Sequence, residues 1–548
     1  MDHQEQIQKP LLTNEEKMAR GSAWLTVGNI GSRLIGVVYI IPWYFWLGDN
    51  AETANALFGM GYNVYALFIM ISTAGIPAAI AKQIAFHNSR GEYRTSQNLL
   101  KRALQIMFLF GMISATVMYL ASPALSKASG GGDDLVPAMR SLSVAILVIP
   151  VMSVLRGYFQ GTQNIGPFAI SQLVEQFFRV IYMLMATFII MRLGSGDYVS
   201  AVTQSTFAAF IGALGGMGVL IYYFRKEKVK MAILAEQSQE LGKINTVGIL
   251  VSTVKEAIPF IIVGSAITIF KLVDQFTFIR MMGMFTEYTN QELQNLMALF
   301  SVNPDKLTMV VIGLATAMAA VGLPLITESY AQKDQRSLTK LVTNNLQLYS
   351  FIMFPATFGM VLLAYPLNTI FYGYNVLGSR LLMVACLSGL VLGLFMISAT
   401  MLQGIYENMS AVIFFGIGFI VKFLLQAPSI YLLESYGPHF STTIGLGVAC
   451  YLNLRKLHQK THFNRSLVLR RTLLMLLMTI CMIVVAALAK AVFGSFLSDQ
   501  HKIQSFILVM LVAGSGGFAY LYLGLKIRIA DKLLGPNMVR LRHKLRIK

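Results

Sequence analysis

The chain has 548 residues, 55% of them hydrophobic and only 13% charged, about half the charged fraction of a soluble protein. Apolar runs of some twenty residues recur from end to end, each long enough to cross roughly 30 Å of hydrocarbon, which excludes a soluble chain of several domains. The net charge of +19 sits mostly in short loops between those runs, where it sets topology and meets anionic lipid head groups, so no nucleic-acid partner is implied.

In chain order the first twenty residues are polar and the first apolar run is long, as expected of a helix that stays and not of a cleaved signal peptide. Spans are expected at about 22–46, 58–81, 103–121, 140–160, 166–192, 199–223, 256–281, 307–329, 341–365, 380–402, 409–433, 439–454, 471–490 and 503–526. The fold class is therefore an all-α membrane protein of about fourteen transmembrane helices. All three tryptophans lie in the first span. Trp24 and Trp43 are separated by roughly 28 Å of helix, so with Trp46 they read as interfacial anchors. Lys and Arg favour one set of alternate loops by roughly four to one, which places both termini in the cytoplasm.

Three segments are more than connectors. Residues 225–252 alternate basic and apolar character and predict a cytoplasmic amphipathic helix between two halves. The polar stretch 284–306 has helical periodicity and is expected to cap the outer face. The basic end, 526–548, reads as a solvated tail touching lipid. Cys386, Cys450 and Cys481 lie in or at the ends of apolar segments without metal-ligand spacing, so neither a disulfide framework nor a zinc site is predicted.

The halves resemble each other. STAGIPAAIA in the second span, with Gly75 and Pro77, corresponds to AAVGLPLITE in the eighth, with Gly322 and Pro324. FQGTQN (Gln160, Gly161, Asn164) at the end of the fourth corresponds to LQGIYEN (Gln403, Gly404, Asn408) at the end of the tenth. The spacing of Gln160 from Gln403 also places Arg179 opposite Lys422. Both halves begin on the cytoplasmic side, so the repeat is parallel: two pseudo-symmetric six-helix lobes plus two C-terminal helices. The expected organisation is a cytoplasmic N-terminus (1–21), an N-lobe (22–223), a cytoplasmic amphipathic linker (224–255) and a C-lobe (256–454). The last two helices with their preceding loop (455–526) and a basic cytoplasmic tail (527–548) follow. The paired Gly and Pro residues read as helix-bending and close-packing devices.

Four basic residues fall deep inside spans: Arg33, Arg179, Lys271 and Lys422. A charge at the bilayer centre costs about 2.5–3.5 kcal/mol even on lenient scales, so these four line a wet cavity or pair with acids. Glu175 lies four residues before Arg179 and Asp274 three after Lys271, on the same helix faces. Arg33 and Lys422 have no such neighbour. The excess of positive charge suggests an anionic substrate, and phosphate oxygens suit Arg and Lys well.

The opening GSAWLTVGNIGSRLIGVVYIIPW, the STAGIPAAIAK segment, the paired Gly-x-Pro and Gln-Gly motifs and the two-lobe pattern resemble the multidrug/oligosaccharidyl-lipid/polysaccharide exporter superfamily. Within it the likeness is nearest to the MurJ-like lipid II flippases of the YtgP/SpoVB type from Gram-positive bacteria, over about residues 15–530. The resemblance implies a flippase in the bacterial cytoplasmic membrane that carries an undecaprenyl-pyrophosphate-linked cell-wall precursor by alternating access. It also implies a central cavity with basic residues for the pyrophosphate. Arg33 matches the first-helix Arg and Lys271 a further cation, with Arg179 and Lys422 assisting. The last two helices match the groove that such flippases use for the lipid tail. Some members bind sodium through an acid of the seventh helix, for which Asp274 is the candidate. Coupling to Na+ or H+, or drive by membrane potential, stays open, and no organic cofactor or metal is implied. Membrane lipids and the cell-wall synthesis machinery are the expected partners.

Two other cargo readings stand beside this one: a capsule or teichuronic-type repeat unit, and a drug exchanged for a cation. Cationic drugs favour intramembrane carboxylates, whereas the mid-membrane excess here is basic. An enzyme is disfavoured. His439 lies at an outer edge, Asp133 and Asp134 occupy a Gly-rich loop, and no GxxxxGK[ST] phosphate loop occurs.

Overall fold

A computed structural model describes residues 38–73, 76–236, 258–534 and 536–545, with a few isolated positions outside those ranges. Among the described residues there are helices and no strands. Eleven stretches there are long and apolar enough to cross a membrane, or twelve if Ile258–Gly264 and Ala266–Phe285, bent by 51°, form one span. One stretch, Asn408–Thr461, holds two helices of 26 and 25 residues, each sufficient to cross alone. The expected span 22–46 lies mostly outside the described residues. With the two helices of Asn408–Thr461 counted separately and the bent pair as one span, thirteen of the fourteen predicted spans have a counterpart among the described residues.

Two compact units partition the chain. The first comprises Met1–Tyr39, Val64–Ser126 and Gly132–Ile261; the second comprises Ile40–Asn63, Lys127–Gly131 and Ile262–Lys548. The helices α1 (Ile40–Leu47), α2 (Ala51–Thr73), α3 (Ile76–Ser89), α4 (Tyr93–Ser129), α5 (Leu135–Gly161), α6 (Ile165–Phe188) and α7 (Tyr198–Glu236) come first in the chain.

In the first unit, Ile80, Leu100, Met107, Met152, Phe159 and Leu220 form a buried core. Small residues bring its helices together. A Cβ on Gly157 would stand 2.5 Å from the Pro77 carbonyl oxygen, and one on Gly161 2.7 Å from that of Ala81, so α5 lies on the backbone of α3. Pro77 is the second residue of α3, where its missing N–H costs nothing. Gly75 lies outside the described residues. Gly212 of α7 closes onto Glu175 of α6 in the same manner, 2.6 Å from its carbonyl oxygen. Helix α7 runs unbroken to Glu236, so the first part of the expected linker continues the sixth span. The rest of that linker lies largely outside the described residues.

The second unit holds α8 (Ala266–Phe285), α9 (Asn290–Met297), α10 (Asn303–Ala331), α11 (Gln335–Leu362), α12 (Ala364–Tyr372), α13 (Val376–Gly404), α14 (Asn408–Leu433) and α15 (Gly437–Thr461). Phe270, Leu346, Phe395, Phe415 and Leu446 lie in its main core. The stretch 284–306 differs from a surface cap. Thr289 and Glu292 form a reciprocal capping box that starts α9, and Ala298–Val302 continue as a fully buried π-helical turn into α10. Trp43 differs too. It is 0% exposed and packs 5.4 Å from the Phe58 ring, so it is a core residue and not an interfacial anchor. Trp24 lies outside the described residues. Helix α10 continues through Pro324, which is exposed, while Gly322 is buried against Asn345.

Helices α16 (Arg465–Gly494) and α17 (Lys502–Lys526) follow, then α18 (Ile529–Leu534) and α19 (Pro536–Lys544). Met475, Met478, Tyr520 and Leu525 make a second core with Phe351 of α11, and Ile529, Met538 and Leu541 from the last two helices join it. Arg542 forms an ion pair with Asp531 at 2.9 Å. The basic end is thus a folded helical pair in place of the solvated tail expected from its charge.

Candidate functional site

In the second unit the intramembrane charges converge on α8. Phe270, Lys271, Asp274 and Thr277 recur along it at helical spacing. Helices α14 and α15 approach closely because Gly418 and Gly445 face each other: a Cβ on either would stand 2.5 Å from the other's carbonyl oxygen. That approach carries Lys422 into the interior, where it is 0% exposed. Its Nζ donates to Asp274 Oδ1 at 2.6 Å, to Thr442 Oγ1 at 2.6 Å and, more weakly, to Gln426 Oε1 at 3.4 Å. The Phe270 ring centroid lies 5.4 Å away. Gln426 is fixed in turn, donating to Asp274 Oδ1 at 2.9 Å and Thr277 Oγ1 at 3.0 Å and accepting from Ser441 Oγ at 2.6 Å. All three ammonium protons have acceptors, which is the condition for keeping a charge in a dry interior.

Lys271, predicted to pair with Asp274, instead pairs with Asp305 in the first turn of α10. These two side chains are 21% and 27% exposed, so the pair is reachable where Lys422 is not. Lys271, Asp274, Asp305, Thr308, His439 and Thr442 line a cavity of about 70 Å³. His439 Nε2 lies 2.8 Å from the Phe300 carbonyl oxygen.

The first unit has its own cluster. Glu175 accepts from Arg179 Nη2 at 2.6 Å, as the four-residue spacing predicts, and from Arg156 Nη2 at 2.8 Å. Arg156 Nε donates to Ser171 Oγ at 3.0 Å. One carboxylate between two guanidiniums leaves a single net positive charge. Arg33 lies outside the described residues.

Sequence reasoning missed Arg156, Asp305, Gln426 and Thr442. Arg156 sits near the end of its span and counts there as a loop residue. Asp305 fell inside the polar stretch read as a cap. Gln426 was legible, being four residues after Lys422 on the same face.

Beyond the ion pairs, Pro355, Gly359, Met482, Ala486, Val512 and Gly517 are among the residues around an apolar cavity of about 400 Å³ formed by α11, α12, α16 and α17. Among the described residues no group of three His, Cys, Asp or Glu side chains is placed to hold a metal ion.

The profile of a family described as "Polysaccharide biosynthesis protein" matches residues 18–330, and a second of the same description matches 288–380. The lipid II flippase MurJ of Bacillus subtilis (strain 168) is 34% identical over 536 residues, covering 95% of this chain and 97% of the relative. Stage V sporulation protein B of the same organism is 24% identical over 229 residues, 42% of this chain and 43% of the relative. Among solved structures, lipid II flippase MurJ in an inward closed conformation superposes with a TM-score of 0.64 at 13% identity, covering 93% of this chain and 99% of the other. An inward-facing multidrug resistance MATE family transporter of the MOP superfamily gives 0.61 at 14% identity, over 80% and 94% of the two chains.

Proposed function

We propose that this chain, which belongs to the polysaccharide biosynthesis protein family and to its MurJ-like branch, is a lipid II flippase. It is a multi-pass transporter of the bacterial cytoplasmic membrane and not an enzyme. The observation that carries the cargo is the 34% identity to MurJ along 95% of the chain.

In this reading both termini face the cytoplasm, and the cell-wall synthesis machinery supplies the precursor on that side and consumes it on the other. The head group crosses by alternating access while the polyprenyl tail stays in lipid or in the apolar cavity beside α16 and α17. Lys271 takes the pyrophosphate, and Arg33, which lies outside the described residues, is a second cation proposed from the sequence alone. Lys271 suits the task because its partner Asp305 is a partly exposed carboxylate that an incoming anion can replace. Lys422, committed to Asp274, ties α14 to α8, the helix that presents Lys271, while Glu175 between Arg179 and Arg156 ties α6 to α5. Membrane potential supplies drive: moving about two negative charges outward across 100 mV gains roughly 4.6 kcal/mol.

The test is depletion of the protein in its host, followed by an externally added enzyme that cleaves only exposed lipid II head groups. Lipid II should become inaccessible and growth should fail, with Arg33→Ala unable to rescue although it inserts normally. If lipid II stays accessible while another surface polymer disappears, the cargo assignment falls and a capsule-type repeat unit replaces it.

A further inference from the structure

The surroundings of Lys422 Nζ are those of a bound cation. Three oxygens of three chemical kinds face it: the Asp274 carboxylate, the Thr442 hydroxyl and the Gln426 amide. They come from three helices, α8, α15 and α14. Oxygen is the donor that hard cations select. The shell around these ligands is itself built. Ser441 and Thr277 grip the Gln426 side chain from either end, which turns its carbonyl oxygen toward the ammonium and its NH2 toward Asp274, the kind of outer support that orients ligands at ion sites. With the side chain 0% exposed, no bulk water shares the work.

A simple salt bridge needs none of this. One carboxylate would neutralise the lysine, and the neutral acceptors would be free to turn elsewhere. What distinguishes this cation is the covalent stem that holds it. A free ion can be exchanged with either side of the membrane during a transport cycle, and an ammonium anchored on α14 cannot.

We propose that α8, α14 and α15 form a monovalent-cation cage that the chain's own lysine permanently fills, so that Lys422 replaces an exchangeable sodium or potassium ion. The consequence, which rests on the flippase reading, is that transport needs no sodium gradient at this site.

Removing the tether makes the cage available, and the probe is the cation itself. Melting of the purified full-length protein is followed in sodium, potassium or choline chloride at equal ionic strength. Wild type should melt at one temperature in all three. Lys422→Ser should melt lower in choline and recover, saturably, in sodium or potassium; Lys422→Ser with Asp274→Asn should not respond to the choice of cation. A wild-type melting temperature that rises specifically with sodium overturns the proposal, because the cage would then admit a free ion. Absence of cation-specific recovery in Lys422→Ser overturns it as well, and so does failure of that variant to accumulate in sodium medium. In proteoliposomes, wild-type lipid II movement should be equal in sodium and choline, and dependence on sodium would contradict the filled cage. Should no lipid II movement occur in any salt, the flippase reading falls while the melting results still decide the cage.

Discussion

Gly445 of α15 stands directly against Lys422 of α14, where a Cβ would come 2.9 Å from the lysine Cβ, and Gly212 of α7 bears the same relation to Arg179 of α6 at 3.0 Å. In each unit a basic side chain sits deep in a span because a glycine on the following helix leaves room for its stem. The sequence repeat that places Arg179 opposite Lys422 thus has a packing counterpart. Both bases then meet a carboxylate: Glu175 on the same helix in one unit, Asp274 on a different helix in the other.

Adding a methyl at these glycines should separate the helices and disturb the ion pairs. Gly445→Ala and Gly212→Ala are expected to lower stability by about 1–3 kcal/mol, the usual cost of overpacking. Gly447, also in α15, has nothing within 4 Å of the same position, so Gly447→Ala should be neutral or stabilising by up to about 1 kcal/mol. Melting of the three variants in one detergent checks the opposite signs; a Gly445→Ala protein as stable as wild type would show that the close approach is not needed.

Helix number and order were legible because a bilayer imposes one length on every span. The Glu175–Arg179 pair was legible because four residues is one helical turn. Partner choice between helices was not. Asp274 lies three residues from Lys271, yet it binds Lys422, 148 positions away, because the contact of α8 with α14 is tertiary and no local spacing encodes it. Lys271 is released to Asp305 for the same reason. Composition also misled at the two ends. Trp43 has the sequence position of an interfacial anchor but is walled in by Phe58 and Tyr44. The basic tail hides an apolar stripe, Met538 and Leu541, that packs onto α16 and α17.

Glu407, in the turn between α13 and α14, makes a clasp with Lys460 at 2.8 Å and Lys456 at 3.4 Å and accepts from Ser410 at 2.7 Å. The Lys460 hydrogen bond, then that of Ser410, lower its carboxyl from 4.5 to about 2. A depressed carboxylate stabilises the fold fully above its unfolded value and loses that contribution as pH falls through the folded one. The stability difference between wild type and Glu407→Gln should therefore be constant above about pH 4.5 and shrink toward zero near pH 2. Its size is modest, on the order of 1 kcal/mol or less, since the lysines are partly solvated. Denaturation at stepped pH measures it, and a difference that grows on acidification would contradict the clasp.

The apolar cavity beside α16 and α17 has one wall position open to filling. Gly517 lines it and has nothing within 4 Å of its missing Cβ, so Gly517→Phe should occupy the space without a clash. If the polyprenyl tail rests there, movement of full-length lipid II should fall by about tenfold, the equivalent of withdrawing roughly two methylenes from burial. A short-chain analogue that does not reach the cavity should be spared. Equal loss for both substrates would separate the cavity from the tail.

The Lys271–Asp305 pair gives the sharpest test of the anion site, because its two members should respond in opposite directions. Lys271→Ala removes a charged donor worth about 1.5–3 kcal/mol to a bound phosphate oxygen, so lipid II movement should fall about tenfold or more. Lys271→Arg keeps the charge and should retain most of the activity. Asp305→Asn takes away the carboxylate that competes with substrate for the same ammonium, so binding of lipid II should tighten. A purely structural pair predicts otherwise: Lys271→Ala and Asp305→Asn would both lower the melting temperature, and binding would weaken in both. Affinity for lipid II measured beside the melting temperature of each variant separates the two. Tighter binding in Asp305→Asn with weaker binding in Lys271→Ala places the pyrophosphate at Lys271, and parallel losses would remove that lysine from the site.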